Sequence, residues 1–398
     1  MVAKNWNYVL LFCLVAAQVT GYVKAGGVVS PLLTVGQRAD RINAAMLAAA
    51  TGDALGRVTE FLSLEGIKSK YPKGVHSLKD VVIRAMVKDG HSIAPYTDDT
   101  RMAICVMQEL INARCWASKQ ALDAKQDVLT FIKDHYDDVC HYIMTHIALS
   151  FIKDSSDQWG WTARFRAPGN GCKSGVRSHL MKLNLLFPQG YPSDVSLFPR
   201  NWWRLSNTTG GCGSVMHAYP FGLVFADDPE LAARLAAEHS YLSHGAPIAV
   251  SACAAMAAGT AYALQGVEPN EVVKRMCIIA ADYDDKNYEL QTAPLIRQAL
   301  ELAHASNVQS IQVLNCLKGW SAHEAVAAAA YIFASSPNDI QHALDLGVHT
   351  PGDSDSIASL AGALVGARVG MSKVPRGWEQ YLEDAQLLSS FGRQVVQI

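Results

Sequence analysis

Gly352-Asp353-Ser354-Asp355-Ser356-Ile357-Ala358-Ser359-Leu360-Ala361-Gly362-Ala363-Leu364-Val365-Gly366-Ala367-Arg368-Val369 is the stretch that decides the fold. From Ile357 onward, small and aliphatic residues recur at three and four, and Arg368 is the one charge. This pattern predicts a helix that is apolar on nearly every side, which belongs inside a bundle because none of its faces suits water. Residues 41–50, 101–113, 246–264 and 322–333 read the same way, rich in Ala, Leu and Met. Strand-like alternation bounded by turn pairs is scarce, so the expected fold class is all-α.

The same stretch begins with paired carboxylates. Asp353 and Asp355, with Ser356 beside them, stand immediately before the apolar run, and Tyr96-Thr97-Asp98-Asp99-Thr100 repeats the arrangement before residues 101–113. Each loop has two readings. Acids and hydroxyls at a helix start cap free amide groups and complement the helix dipole. They are also a hard oxygen donor set for a divalent cation, and carboxylates crowded together repel one another unless something positive lies among them. Read as two halves of one metal site, Thr97, Asp98, Asp99, Asp353, Asp355 and Ser356 are the candidate ligands. With no histidine or cysteine inside either run, Mg²⁺ is expected first and Mn²⁺ second.

Other glycine-rich segments carry chemistry too. Gly52-Asp53-Ala54-Leu55-Gly56 reads as a loop after a helix, with Asp53 a cap or an acid that holds a neighbouring loop. Glu60 is either a surface residue or a carboxylate that reaches the site. Gly210-Gly211-Cys212-Gly213-Ser214 is either a plain turn or a loop whose backbone amides can approach a diphosphate. The acidic loops near the two ends must meet, which predicts one domain.

Half of the 398 residues are hydrophobic, and 34 Lys and Arg nearly balance 36 Asp and Glu. Such a chain buries a large core. A formal charge of −2 offers no field for a phosphate backbone, which argues against general nucleic-acid binding. Residues 1–25 carry Lys4, an apolar run over 8–17 and a small-residue end, the pattern of a secretory signal. The other readings are a mis-set start codon or a short N-terminal helix packed on the body, with a cytoplasmic location. The run is too short to span a membrane comfortably. Residues 26–40 then read as a linker and 41–398 as the domain, expected as a monomer. The eight cysteines beyond residue 25 show no C-x-x-C spacing, so a zinc knuckle is not expected. Cys105, Cys253 and Cys277 lie in apolar helical stretches and read as buried thiols.

Taken in order, these pieces resemble the ADP-ribosylglycohydrolase family, the group that includes dinitrogenase reductase-activating glycohydrolase and the crystallin J1-like proteins. The resemblance rests on residues 52–56 with Glu60, residues 96–100 with Met102, residues 166–172, 210–223, 243–247, 319–325 and 352–370, and it runs from about residue 41 to 378. It implies an orthogonal helical bundle with a dimetal cleft holding two Mg²⁺ ions, Mn²⁺ in some cases. It also implies hydrolysis of an N- or O-glycosidic bond at the distal ribose of an ADP-ribosyl group, through an oxocarbenium-like state.

By the same resemblance, Thr97, Asp98, Asp99, Asp353, Asp355 and Ser356 match the metal ligands. Gly210, Gly211, Gly213 and Ser214 match the loop along the diphosphate, and His244 matches a histidine that lines the ligand cleft. Glu60 or Asp99 would assist proton transfer. The chain departs from the common pattern at Ser356 and Ser243, where Thr is frequent, at His217, where Arg is usual, and at Arg57-Val58-Thr59, which replaces a small, proline-containing turn. The expected function is Mg²⁺-dependent release of ADP-ribose from a modified protein or an ADP-ribose-containing small molecule. A non-catalytic crystallin-like or ADP-ribose-binding relative is the alternative, and a metal-dependent hydrolase of a nucleotide sugar is a third.

Overall fold

Thr34 begins the first helix. Its hydroxyl accepts from the Gln37 amide at 3.2 Å, and the Gln37 side chain accepts from the Thr34 amide at 2.9 Å, a reciprocal cap that satisfies two otherwise free donors. In this computed structural model, which describes residues 33–88, 90–157, 160 and 164–398, helix α1 is therefore Val35–Gly56. It starts ahead of residue 41, so residues 35–40, read as linker, are helical. The signal reading of residues 1–25 lies outside the described residues.

The helices that build the site follow in order: α2 (Asp98–Ala124), α3 (Tyr136–Ser156), α4 (Asn170–Leu186), α5 (Pro229–Ser240), α6 (Pro247–Leu264), α7 (Ala322–Ser335), α8 (Ile340–Val348) and α9 (Ser354–Val369). Further helices connect them. Among the described residues the strands are one antiparallel pair, β1 (Ile83–Lys88) and β2 (His91–Ile93). The protein is all-α, as the apolar periodicity predicts.

Helices α1 and α9 pack against each other more extensively than any other pair, and α6, α7 and α8 close around them. Residues 354–367 of α9 are all buried, as is nearly all of α6. Helix α6 is long and apolar enough to cross a membrane, but it lies inside the bundle, where the same composition makes a core helix.

Residues 52–56, read as a loop, form the last turn and a half of α1. The glycine here serves packing: a Cβ on Gly56 would stand 2.5 Å from the Asp355 Cα, closer than atoms approach. The end of α1 and the start of α9 thus touch backbone to backbone. The next turn fastens them, because the Thr59 hydroxyl lies 3.0 Å from Ser354 Oγ and donates to the Val348 carbonyl at 2.7 Å. The eight cysteines in the described residues are free, with Cys105, Cys253 and Cys277 buried.

Candidate metal and ligand site

Asp53 organises the first acidic loop. From the last turn of α1 its carboxylate accepts from the amides of Thr97 (2.8 Å) and Thr100 (3.0 Å) and from the Thr100 hydroxyl (2.6 Å). The side chain is fully buried, burial raises its carboxyl above the ordinary range while these bonds oppose the shift, and each such bond contributes about 0.5–1.5 kcal/mol. Asp53 is the acid that holds the loop, the role its sequence position suggests. Thr97 caps α2, and its hydroxyl lies 3.2 Å from Asp99 Oδ2. The backbone of Asp98 is fixed from outside, its amide donating to the Arg166 carbonyl at 2.8 Å.

The second acidic loop arrives from the other end of the chain. Gly352 sits at φ +124°, a conformation that suits glycine, and turns the chain so that the Asp353 amide donates to the Lys318 carbonyl at 2.8 Å. The Ser356 hydroxyl then donates to Asp99 Oδ1 at 2.8 Å. Carboxylate oxygens of Glu60, Asp353 and Asp355 lie within 4.8 Å of one another. The first loop caps its helix through Thr97, whereas Asp353 makes no side-chain cap bond at the start of α9; the two loops converge.

The result is a cluster of carboxylates with little solvent. Asp98, Asp99, Asp353 and Asp355 are buried, and Glu60 is half-buried at the rim. Burial raises the Asp98 carboxyl to about 8, with Asp53 adding to it. Burial together with Asp353, Asp98 and Asp53 raises Glu60 to about 8. Asp99 and Asp355 are pushed well above the usual range for the same reason. Among the described residues, no Lys or Arg forms an ion pair with these five acids. Arg57 acts on Asp53 and Asp355 from a distance without pairing with either, and hard oxygen donors crowded in this way fit one or more divalent cations.

The glycine loop stands beside this cluster. Residues 210–212 are held by residues 320–322: the Cys212 amide donates to the Trp320 carbonyl at 3.2 Å and the Ala322 amide to the Gly210 carbonyl at 3.0 Å. A short 3₁₀ turn, Cys212–His217, follows. Gly213 must be small here, since a Cβ would meet Cys172 Sγ and His244 Cε1, each at 2.8 Å. His244 thus packs against the loop, with its Nδ1 2.7 Å from Ser243 Oγ. Burial lowers its imidazole to about 4, so it is neutral at neutral pH.

The Ser214 hydroxyl points inward, 3.1 Å from Ser240 Oγ, so what Ser214 offers a ligand is its backbone. His217 also points inward. It is fully buried, with Nδ1 2.8 Å from His239 Nε2 and its ring against Phe151. The departure at this position therefore acts within the core.

Three features of the site carry no sequence signal on their own. Arg166, 2% exposed, bonds the Tyr96 carbonyl at 2.6 Å and pairs with Glu383 at 2.8 Å, bracing the first loop against the C-terminal segment. Cys212 Sγ donates to Asp353 Oδ2 at 2.7 Å. Phe61, at φ +63° and 73% exposed, stacks on Trp320 with ring centroids 5.1 Å apart, next to Glu60. Arg166 and Cys212 fall inside motifs that a sequence reading can single out, but the partners that give them meaning are distant in sequence.

The helical bundle is a fold seen in solved structures. One, an ADP-ribosylglycohydrolase-related protein complex, aligns with a TM-score of 0.57 at 20% identity, covering 91% of this chain and 99% of that one. The chain belongs to the ADP-ribosylglycohydrolase family, whose family model matches residues 34–397. It is similar to ADP-ribosylhydrolase ARH3 of Bos taurus, 27% identical over 314 residues, which cover 72% of this chain and 74% of that protein. It is also similar to ADP-ribosylhydrolase ARH3 of Mus musculus, 28% identical over 198 residues, 44% of this chain and 53% of that protein. The chain thus spans about half the length of the mouse relative.

Proposed function

We propose that this protein is a Mg²⁺-dependent hydrolase that cleaves the glycosidic bond of an ADP-ribosyl group on a modified protein or small molecule and releases ADP-ribose. The observation that carries this reading is the joining of two acidic loops through Ser356 and Asp99, at 2.8 Å, into a cluster of buried carboxylates. Family membership and the similarity to ARH3 proteins support it.

Thr97, Asp98, Asp99, Asp353, Asp355 and Ser356 are the residues that would hold two cations. When bound, such cations supply positive charge that fixes a vicinal diol and makes a water more acidic. Gly210, Gly211 and Gly213 leave a strip of loop backbone on either side of Cys212 without side chains of their own, which suits a diphosphate. His244, neutral, offers that strip a hydrogen bond or a ring face without adding charge.

Hydrolysis forms a bond from water oxygen to the anomeric carbon and breaks the bond to the leaving nitrogen or oxygen. One water proton must reach that leaving atom. We assign its transfer to Glu60, because Glu60 stands at the rim whereas Asp99 is buried and accepts from Ser356 and Thr97. The protein acts as a monomer in this reading. An exported site of action belongs to the same proposal, and mass spectrometry of the mature N-terminus tests it.

The deciding experiment measures free ADP-ribose released by the full chain from arginine-ADP-ribosylated and serine-ADP-ribosylated protein, with Mg²⁺ and with chelator. Chelator-sensitive release from either substrate is expected and names the linkage. No release from both by folded, cation-loaded protein rejects the hydrolase reading in favour of a binding relative.

A further inference from the structure

One donor at the acid cluster does not match the rest. Cys212 belongs to neither acidic loop. It is carried in by the glycine loop and fixed there by the hydrogen bond its amide donates to the Trp320 carbonyl at 3.2 Å. Its Sγ lies 2.7 Å from Asp353 Oδ2 and 3.8 Å from Ser356 Oγ. The cysteine is only partly buried, while Asp353 and Ser356 are 4% and 2% exposed. A sulfur therefore stands against two oxygen donors of the cluster, on the side where the glycine loop meets it.

We propose that Cys212 Sγ is a ligand of the cation held at Asp353 and Ser356, which gives this centre an affinity for thiophilic divalent cations that an all-oxygen site lacks. The inference rests on reading residues 353–356 as part of a cation centre. Sulfur ligands select softer ions such as Zn²⁺ and Cd²⁺, whereas Mg²⁺ gains little from them. On coordination the S–H bond breaks, its proton leaves to solvent and a sulfur–metal bond forms; no electron is transferred. Cys172 makes a useful contrast. It is buried behind the loop with its Sγ directed to the Gly213 carbonyl at 3.3 Å, so it is not offered to the same ion.

The test titrates Cd²⁺ into the full chain and follows the ultraviolet charge-transfer absorption of a cadmium–thiolate bond. Mg²⁺ binding is measured separately by calorimetry. The wild type is compared with Cys212→Ser and Cys172→Ser. The expected result is a stoichiometric band in the wild type and in Cys172→Ser that is absent in Cys212→Ser. Cd²⁺ affinity of Cys212→Ser should fall about tenfold or more, with Mg²⁺ affinity within about threefold of wild type. Retained Mg²⁺ binding also shows that Cys212→Ser is folded. Cd²⁺ binding without the band, or a band that persists in Cys212→Ser, overturns the sulfur ligand and leaves the cation centre standing. Failure of the wild type to bind either cation overturns both.

Discussion

The Ser356 hydroxyl donates to Asp99 Oδ1 at 2.8 Å across 257 positions of the chain. This bond ties the start of α9 to the start of α2 and turns two acidic loops into one cluster. Replacing Ser356 by Ala removes both the tie and a candidate ligand, so cation affinity should fall about tenfold or more, while Ser356→Thr, which keeps the hydroxyl, should stay near wild type. Calorimetric titration with Mg²⁺ measures both. Equal affinity in Ser356→Ala and wild type would remove Ser356 from the ligand set.

Asp53→Ala should destabilise the fold by about 2–4 kcal/mol, because it leaves the amides of Thr97 and Thr100 buried without an acceptor. Asp53→Asn keeps one acceptor oxygen and should lose less. Denaturant unfolding in chelator isolates this effect from cation binding. A change under about 0.5 kcal/mol for Asp53→Ala would show that the loop holds its shape without Asp53.

Cation removal should lower stability. Carboxylates that repel one another in the folded state gain from any cation bound only there, by about 2.7 kcal/mol at a concentration one hundred times the dissociation constant. Thermal unfolding with Mg²⁺ and with chelator should differ by several degrees. Coincident curves would count against a cation at this cluster.

Glu60→Gln separates proton transfer from ligation. If Glu60 moves the proton, kcat should fall about a hundredfold or more while Mg²⁺ affinity stays within about tenfold of wild type. A large loss of affinity with it would make Glu60 a ligand instead.

Acid sensitivity has a source away from the cluster. His179, 1% exposed with Nε2 2.7 Å from the Trp203 carbonyl, is lowered by burial to about 4. The unfolded imidazole titrates near 6.5, so the unfolded chain binds the proton first as pH falls. The neutral folded form is fully favoured above about pH 6.5, and about 3 kcal/mol is lost between that pH and about 4. Denaturant midpoints across this window should fall steeply for the wild type and less steeply for His179→Gln. Parallel slopes would show that His179 does not set them.

Much of this arrangement is legible in the sequence because its signals are local. The near-unbroken apolar run of residues 357–369 allows no surface helix, and the acids of residues 97–99 and 353–355 stand out beside hydroxyls. Boundaries are less legible. Residues 52–56 look like a loop because glycine weakens a helix in isolation, yet Gly56 serves as the contact with Asp355. The start of α1 depends on a two-residue cap at Thr34 and Gln37 that composition alone does not reveal. The bracing of Arg166 by Glu383 and the approach of Cys212 to Asp353 depend on residues 217 and 141 positions apart, a distance no local pattern spans.

That separation also sets an order of events in the cell. Asp99 is synthesised 257 residues before Ser356, and at about 5–20 residues per second the first acidic loop waits roughly ten seconds to a minute for its partner. Until α9 leaves the ribosome, α1 also lacks the surface against which Gly56 packs. A nascent chain can therefore build α1 and α2 early but cannot complete the carboxylate cluster, which forms only once residues 353–356 have been made and α9 folds into place.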